Sequence, residues 1–314
     1  MLVRVGYDIV LNFAAPTPLV LKLYTHPSLT NQLIKSDLIK LAPVSCVREF
    51  TDNFGNRCLR MTAQEGKLHF CNDVIVKTSD RPDLVNWEAR QSPVSDLPDD
   101  TLEFLLGSRY CEIEQLSPIA WQLFGKEEPG WARVQAICDW IHSNITYGYE
   151  HARPSKTAYE VYKERTGVCR DFAHLAIAFC RSLNIPARYA SGYLGDIGVE
   201  PLPTPMDFHA WFEVFLDGKW YSFDARHNVP RLGRILMVRG RDAADTALIT
   251  SFGTHELVKF TVWADEVTLE DIPRKLAIAG CEFSLASGYD LLPWYYYKFW
   301  ISNGSRFSHS CGNR

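Results

Sequence analysis

The 314-residue sequence lacks several features that would have fixed its chemistry early. It has no Cys-x-x-Cys pair, so the commonest structural zinc signature is absent. It has no Asp-rich calcium loop and no Gly-rich phosphate loop ending in Gly-Lys-Ser/Thr. Neither a metal nor a cofactor is therefore expected. It has no basic tract, and 33 basic against 37 acidic side chains give a net charge of −4. A DNA or RNA partner is disfavoured. It has no run of about 18 apolar residues, so no transmembrane helix is expected. The opening segment MLVRVGYDIVLNFAAPTP has no secretory apolar core, because Arg4, Asp8 and Asn12 interrupt it. Nine cysteines, an odd number without regular spacing, fit reduced thiols in a cytoplasmic protein.

What is present suits a globular chain: 46% apolar and 22% charged residues, long enough for two domains. Residues 1–90 read as strands, including VRVGYDIVLNF and the hairpin signal DNFGN between two apolar runs. They predict an N-terminal β-sandwich-like domain. The Pro- and Asp-rich stretch 91–100 is the expected linker. Over 101–266 helices come first and strands after, an α+β pattern. Trp131, Val134, Ile137, Cys138, Ile141 and Ile145 recur at helical steps. Thr157 and Glu160 form a capping-box start, with Gly167 as the stop. Strands follow at IPARYASGYLG, FHAWFEVFLDGKWYSFDA, RILMVRG and ELVKFTVWA. The tail, 267–314, is aromatic-rich and then Ser-, Gly- and Asn-rich, with no clear period.

RTGVCRDFAHLAIAFC holds two cysteines of different character. Phe172, Ala176, Phe179, Cys180 and Leu183 mark one apolar helix face, so Cys180 reads as core. Cys169 lies in the first turn. There the unpaired N–H groups and the helix dipole favour a thiolate and a developing oxyanion, lowering the thiol pKa. Taken alone, a free cysteine is more often a small buried hydrophobe.

A nucleophilic cysteine needs a base, and the base needs an orienting group. The hairpin turning at Asp217-Gly218 supplies both. With Leu216 opposite Lys219, Trp211 faces Asp224 and His209 is the diagonal neighbour of Asp224 on the same side. A one-residue slip would part them. That Cys169 reaches His209 is a tertiary contact, which spacing does not show. Other candidates are weaker. His174 points away from Cys169. Trp211 and Glu213 read as wall or core. Tyr147 and Tyr149 could line a cleft. His142, His255 and the charged RGRDAAD, Arg239 to Asp245, read as structural.

Three blocks, GVCRDFAHLAIAFCRSLNIPARYASGYL, DFHAWFEVFLDGKWYSFDA and RGRDAADTALITSFG, resemble the bacterial transglutaminase-like cysteine protease family. This family sits in the transglutaminase/papain-like superfamily. The likeness runs over residues 1–266 and includes its N-terminal β domain. It implies a papain-like core of helices on an antiparallel sheet. It also implies nucleophile Cys169, base His209 and third member Asp224, all of the expected type. The implied activity is acyl transfer on a peptide or protein substrate, either proteolysis or amide hydrolysis, or transamidation by the same residues. The rival from another class is a non-catalytic protein-binding module. The tail has no counterpart in the family. The paired zinc cysteines of the related peptide N-glycanases are missing, and the calcium sites of animal transglutaminases find no match.

Overall fold

The computed structural model describes residues 1–201, 204–271 and 301–303. The first strands are β1 (Leu2–Phe13), β2 (Thr17–Leu21), β3 (Lys40–Ala42), β4 (Val47–Thr51), β5 (Arg57–Ala63) and β6 (Gly66–Lys77). Period-2 burial drives them: Val3, Val5, Tyr7, Ile9, Leu11 and Phe13 of β1 are all buried. Helices α1 (Ile113–Phe124) and α2 (Trp131–Asn144) follow. Then come β7 (Thr146–Tyr147), α3 (Ala158–Glu164), β8 (Thr166–Gly167) and α4 (Cys169–Ser182). The remaining strands are β9 (Ala187–Tyr193), β10 (His209–Leu216), β11 (Lys219–Phe223), β12 (Ile235–Gly240), β13 (Ile249–Ser251), β14 (His255–Val267) and β15 (Ile301–Asn303). This is the expected α+β architecture, antiparallel sheet with helices after a strand-rich start.

The strands form three main sheets, ordered β14-β1-β6-β3, β15-β13-β2-β5-β4 and β11-β10-β9-β12. The first two contain both early and late chain. β14 runs antiparallel along β1, with Leu2 opposite Val267, and β13 pairs with β2. The expected division at 90 and 266 therefore does not describe the pairing. Residues 249–267 return to the N-terminal strands, because β1 has two edges and β6 covers only one. The expected linker is held in place too: Gln91 donates to the Leu183 carbonyl and accepts from Arg133. The tail expectation falls mostly outside the described residues, apart from β15 beside β13.

The third sheet carries α4, which packs on β9 and β10 and is flanked by α1, α2 and α3. The predicted single apolar face understates its burial, since all its residues from Cys169 to Ser182 are buried. Its polar side chains are bonded rather than solvated. Arg181 donates to the carbonyls of Ala187, Leu106 and Arg241, and Arg170 grips Asp171. Such bonds offset the cost of burying polar groups. Cys46, Cys58, Cys111, Cys138, Cys169 and Cys180 are free thiols, as expected, whereas Cys71 is disulfide-bonded. Among the described residues no helix is long and apolar enough to cross a membrane.

Candidate active site

Cys169 is the first residue of α4, and the turn before it is built tightly. The expected capping box of α3 forms, with Thr157 and Glu160 bonding each other's backbone. α3 stops earlier than expected, at Arg165 in the left-handed region (φ 61°). Gly167 serves a different purpose from a stop. It pairs with Tyr147 in the β7–β8 ladder, and a Cβ on it would come within 2.7 Å of Asp171 Cβ. That space lets Asp171 fold back and accept the Val168 N–H at 3.0 Å, fixing the start of α4.

His209 opens β10. The hairpin has the expected register, Leu216 opposite Lys219 and Phe212 opposite Phe223. Asp217 and Gly218 both take positive φ (47° and 74°), the two-residue turn that this register needs. Asp224 follows β11 directly, and its Oδ2 lies 2.7 Å from His209 Nε2. Its Oδ1 accepts the backbone N–H groups of Arg226 (3.1 Å) and His227 (3.2 Å), and Arg234 stands 3.6 Å from Oδ2. Burial pushes Asp224 up, but His209 and Arg234 outweigh it and hold the carboxyl far below its usual range. Asp224 is thus an acceptor. His209 must carry its proton on Nε2, which leaves Nδ1 as the basic nitrogen. Burial lowers the His209 pKa against the pull of Asp224, so the ring is neutral near pH 7.

The thiol departs from expectation. Burial pushes Cys169 up to about 12, while Arg226 and a hydrogen bond from the Ala210 N–H pull it back and Asp207 and Asp224 oppose them. A helix N-terminus stabilises a thiolate only modestly, and full desolvation outweighs it. The Ala210 contact places the sulfur beside β10, one residue from His209. α4 on β10 thus brings together the residues that spacing alone could not connect.

The weaker candidates fall as follows. His174 accepts the Ala243 N–H through Nε2 and stacks on Tyr110. Trp211 lies between His209 and Arg234, and Glu213 pairs with Arg188 and Arg239. Tyr147 and Tyr149 do line the thiol's surroundings, each sensing Cys169. Sequence reading missed Arg226, His227, Arg231 and Arg234. Their only sequence signal was the basic run around Asp224. His209, Asp224 and His227 each offer a donor atom, all within 4.8 Å of one another. A divalent cation fits poorly there. Both Asp224 oxygens are already engaged, and Arg231 and Arg234 add positive charge.

A helix-start cysteine beside a histidine at the head of one hairpin strand and an aspartate just after the other fits the transglutaminase-like class of fold. The chain belongs to the transglutaminase-like superfamily, whose family model matches residues 118–225. It resembles the crystal structure of a candidate cysteine protease from Cytophaga hutchinsonii, with a TM-score of 0.77 and 34% identity. That match covers 85% of this chain and 91% of the other. An uncharacterized protein of Mycobacterium leprae is 25% identical over 233 residues, 71% of this chain and 82% of its own length. One from Mycobacterium tuberculosis is 29% identical over 221 residues, 62% of this chain and 68% of its own.

Proposed function

We propose that the protein is a thiol acyl-transfer enzyme that cleaves a peptide or carboxamide through a thioester on Cys169. The observation that carries this reading is the His209–Asp224 hydrogen bond next to the strand residue that contacts the Cys169 sulfur.

In the resting site both partners are neutral, so attack and deprotonation are coupled. His209 Nδ1 takes the thiol proton as sulfur adds to the carbonyl carbon. Asp224 fixes the tautomer and stabilises the imidazolium that forms. The Cys169 N–H has no partner within its helix, because first-turn N–H groups never do, and it is the donor assigned to the developing oxyanion. His209 then returns the proton to the leaving amine. Water resolves the thioester, giving the free acid and restoring the thiol.

Transamidation shares every step up to the thioester. Hydrolysis is favoured because water is always present and nothing among the described residues marks an amine-binding site. The likeness to a candidate cysteine protease also supports hydrolysis. Six free thiols support a reducing, cytoplasmic setting, and the bonded Cys71 does not.

The test is incubation with a peptide library, with and without a primary amine, for the native chain and Cys169→Ala. Free acids made by the native chain alone are the expected result. Amine adducts would select transamidation. Equal turnover by both chains would sink the enzyme reading and favour a binding module.

A further inference from the structure

The wall beside Cys169 holds a cation, Arg226, that pairs with no carboxylate among the described residues. Arg226 lies two residues after Asp224 and is half-buried. Three contacts fix it. Its N–H donates to Asp224 Oδ1, and its carbonyl accepts from His142 Nδ1 at 2.8 Å. Its guanidinium carbon lies 3.7 Å from the Tyr147 ring centroid. Tyr147 is placed in turn by the segment that carries the thiol. It stands opposite Gly167, two residues before Cys169, and its ring packs edge-on against Phe172 in α4 with centroids 6.2 Å apart.

The neighbouring arginines are paired, Arg231 with Asp196 at 3.7 Å and Arg234 with Asp83 at 2.9 Å. Arg226 forms no ion pair among the described residues, and its guanidinium donates no hydrogen bond there. The acids that face the thiol do not take it up. Asp224 is bonded to His209 and to backbone N–H groups, and Asp207 accepts the Phe208 N–H. Tyr147, Tyr149 and Tyr189, which lie around the thiol, have pKa values raised by burial and remain neutral, and burial lowers those of His209 and His227.

A guanidinium held over a ring face by its carbon leaves its N–H groups available, and those of Arg226 donate no hydrogen bond among the described residues. That planar fork of donors matches a carboxylate and binds it through charge-assisted hydrogen bonds. We infer that Arg226 forms a carboxylate-binding subsite, so that the favoured acyl substrate carries a carboxylate close to the scissile carbonyl. It comes either from an acidic side chain or from a free chain end. The substrate class rests on the proposed acyl transfer, but the subsite can be tested without it.

Iodoacetate and iodoacetamide both alkylate a thiol whether or not the protein hydrolyses anything. In each case sulfur displaces iodide, the S–C bond forms as C–I breaks, and the thiol proton leaves to His209 or solvent. The reagents differ only in carboxylate against carboxamide. Full-length protein is treated with each near neutral pH, and the rate at Cys169 is read by peptide mass spectrometry. The exposed Cys46 is the internal reference. The iodoacetate-to-iodoacetamide ratio at Cys169 is expected to exceed that at Cys46 by about ten-fold or more. It should fall to the Cys46 value in Arg226→Gln and be partly kept in Arg226→Lys. A ratio no higher at Cys169 than at Cys46 overturns the subsite. So does an equal slowing of both reagents in Arg226→Gln, which would assign Arg226 to thiolate support instead.

Should the variants fail to fold, protection of native Cys169 against iodoacetamide decides. Acetyl-Glu-amide carries a side-chain carboxylate, acetyl-Gln a chain-end carboxylate, and acetyl-Gln-amide neither. Stronger protection by one of the acids supports the subsite and identifies the source. Equal protection by all three overturns it. Absence of peptide hydrolysis with the ratio intact would refute the proposed activity and leave the subsite standing.

Discussion

Burial raises the pKa of both α4 thiols, Cys169 up to about 12 and Cys180 likewise above its ordinary value. Their neighbours differ. Cys169 has the Ala210 N–H and Arg226, and Cys180 has Arg181 as its only charged influence. Cys169→Ser should therefore fold almost normally, since the hydroxyl inherits the Ala210 N–H, yet lose all thioester chemistry. Cys180→Ser should lose about 1–3 kcal/mol of stability by urea titration, because it leaves a hydroxyl in a core without a partner. The reverse pattern would mean that the two cysteines have exchanged roles. Acyl transfer needs the unprotonated His209 Nδ1. Burial lowers this pKa below 6.5, so activity should hold through neutral pH and fail only on an acid limb below 6.5. A kcat/KM profile with its acid limb above pH 6.5 would contradict this. Asp224→Asn removes the charge that fixes the tautomer, and kcat should drop by about two to four orders of magnitude with KM little changed.

Two short elements set the site, and each was readable to a different degree. The β10–β11 hairpin was legible because Asp217-Gly218 fixes a register and a register fixes faces, which placed His209 with Asp224. The first turn of α4 was legible as a helix start, but the thiol's protonation was not. That depends on how much of the fold closes over Cys169, which no local pattern encodes. α1 escaped notice because Pro118 sits inside it, where a proline removes a helical donor and normally ends a helix. Arg226 escaped because its meaning comes from Tyr147, far away in sequence. Gly167→Ala tests the α4 start directly. The added methyl meets Asp171, so the Val168 N–H bond should break and acyl-transfer rates should fall more than the melting temperature does. An unchanged rate would show that Asp171 does not set the position of Cys169.

Across the whole molecule, five histidines share one electrostatic direction. Burial lowers the pKa of His26 to about 4 and His227 to about 3, and also lowers His174, His209 and His255. The unfolded chain protonates them near 6.5 and the native chain does not, so the unfolded state binds more protons below that pH. Their contribution to stability is full above about 6.5 and declines as the pH falls. The melting temperature should drop between pH 7 and pH 5, and a flat profile would contradict the burial of these rings.

The ladder that sets Leu2 opposite Val267 governs how the chain comes into being. β1 is made before both of its partners, and one of them is the last long strand described. β6 can zip onto one edge early, but the other edge waits through the synthesis of every element of the candidate site. An open edge lined with buried-type residues is a template for pairing with other chains. A fragment ending at residue 254 should therefore precipitate as it is made, and adding the His255–Val267 strand as a separate peptide should rescue its solubility. In this protein the newborn chain is at its stickiest when its chemistry is nearly assembled, and the strand that makes it safe arrives after the site it protects.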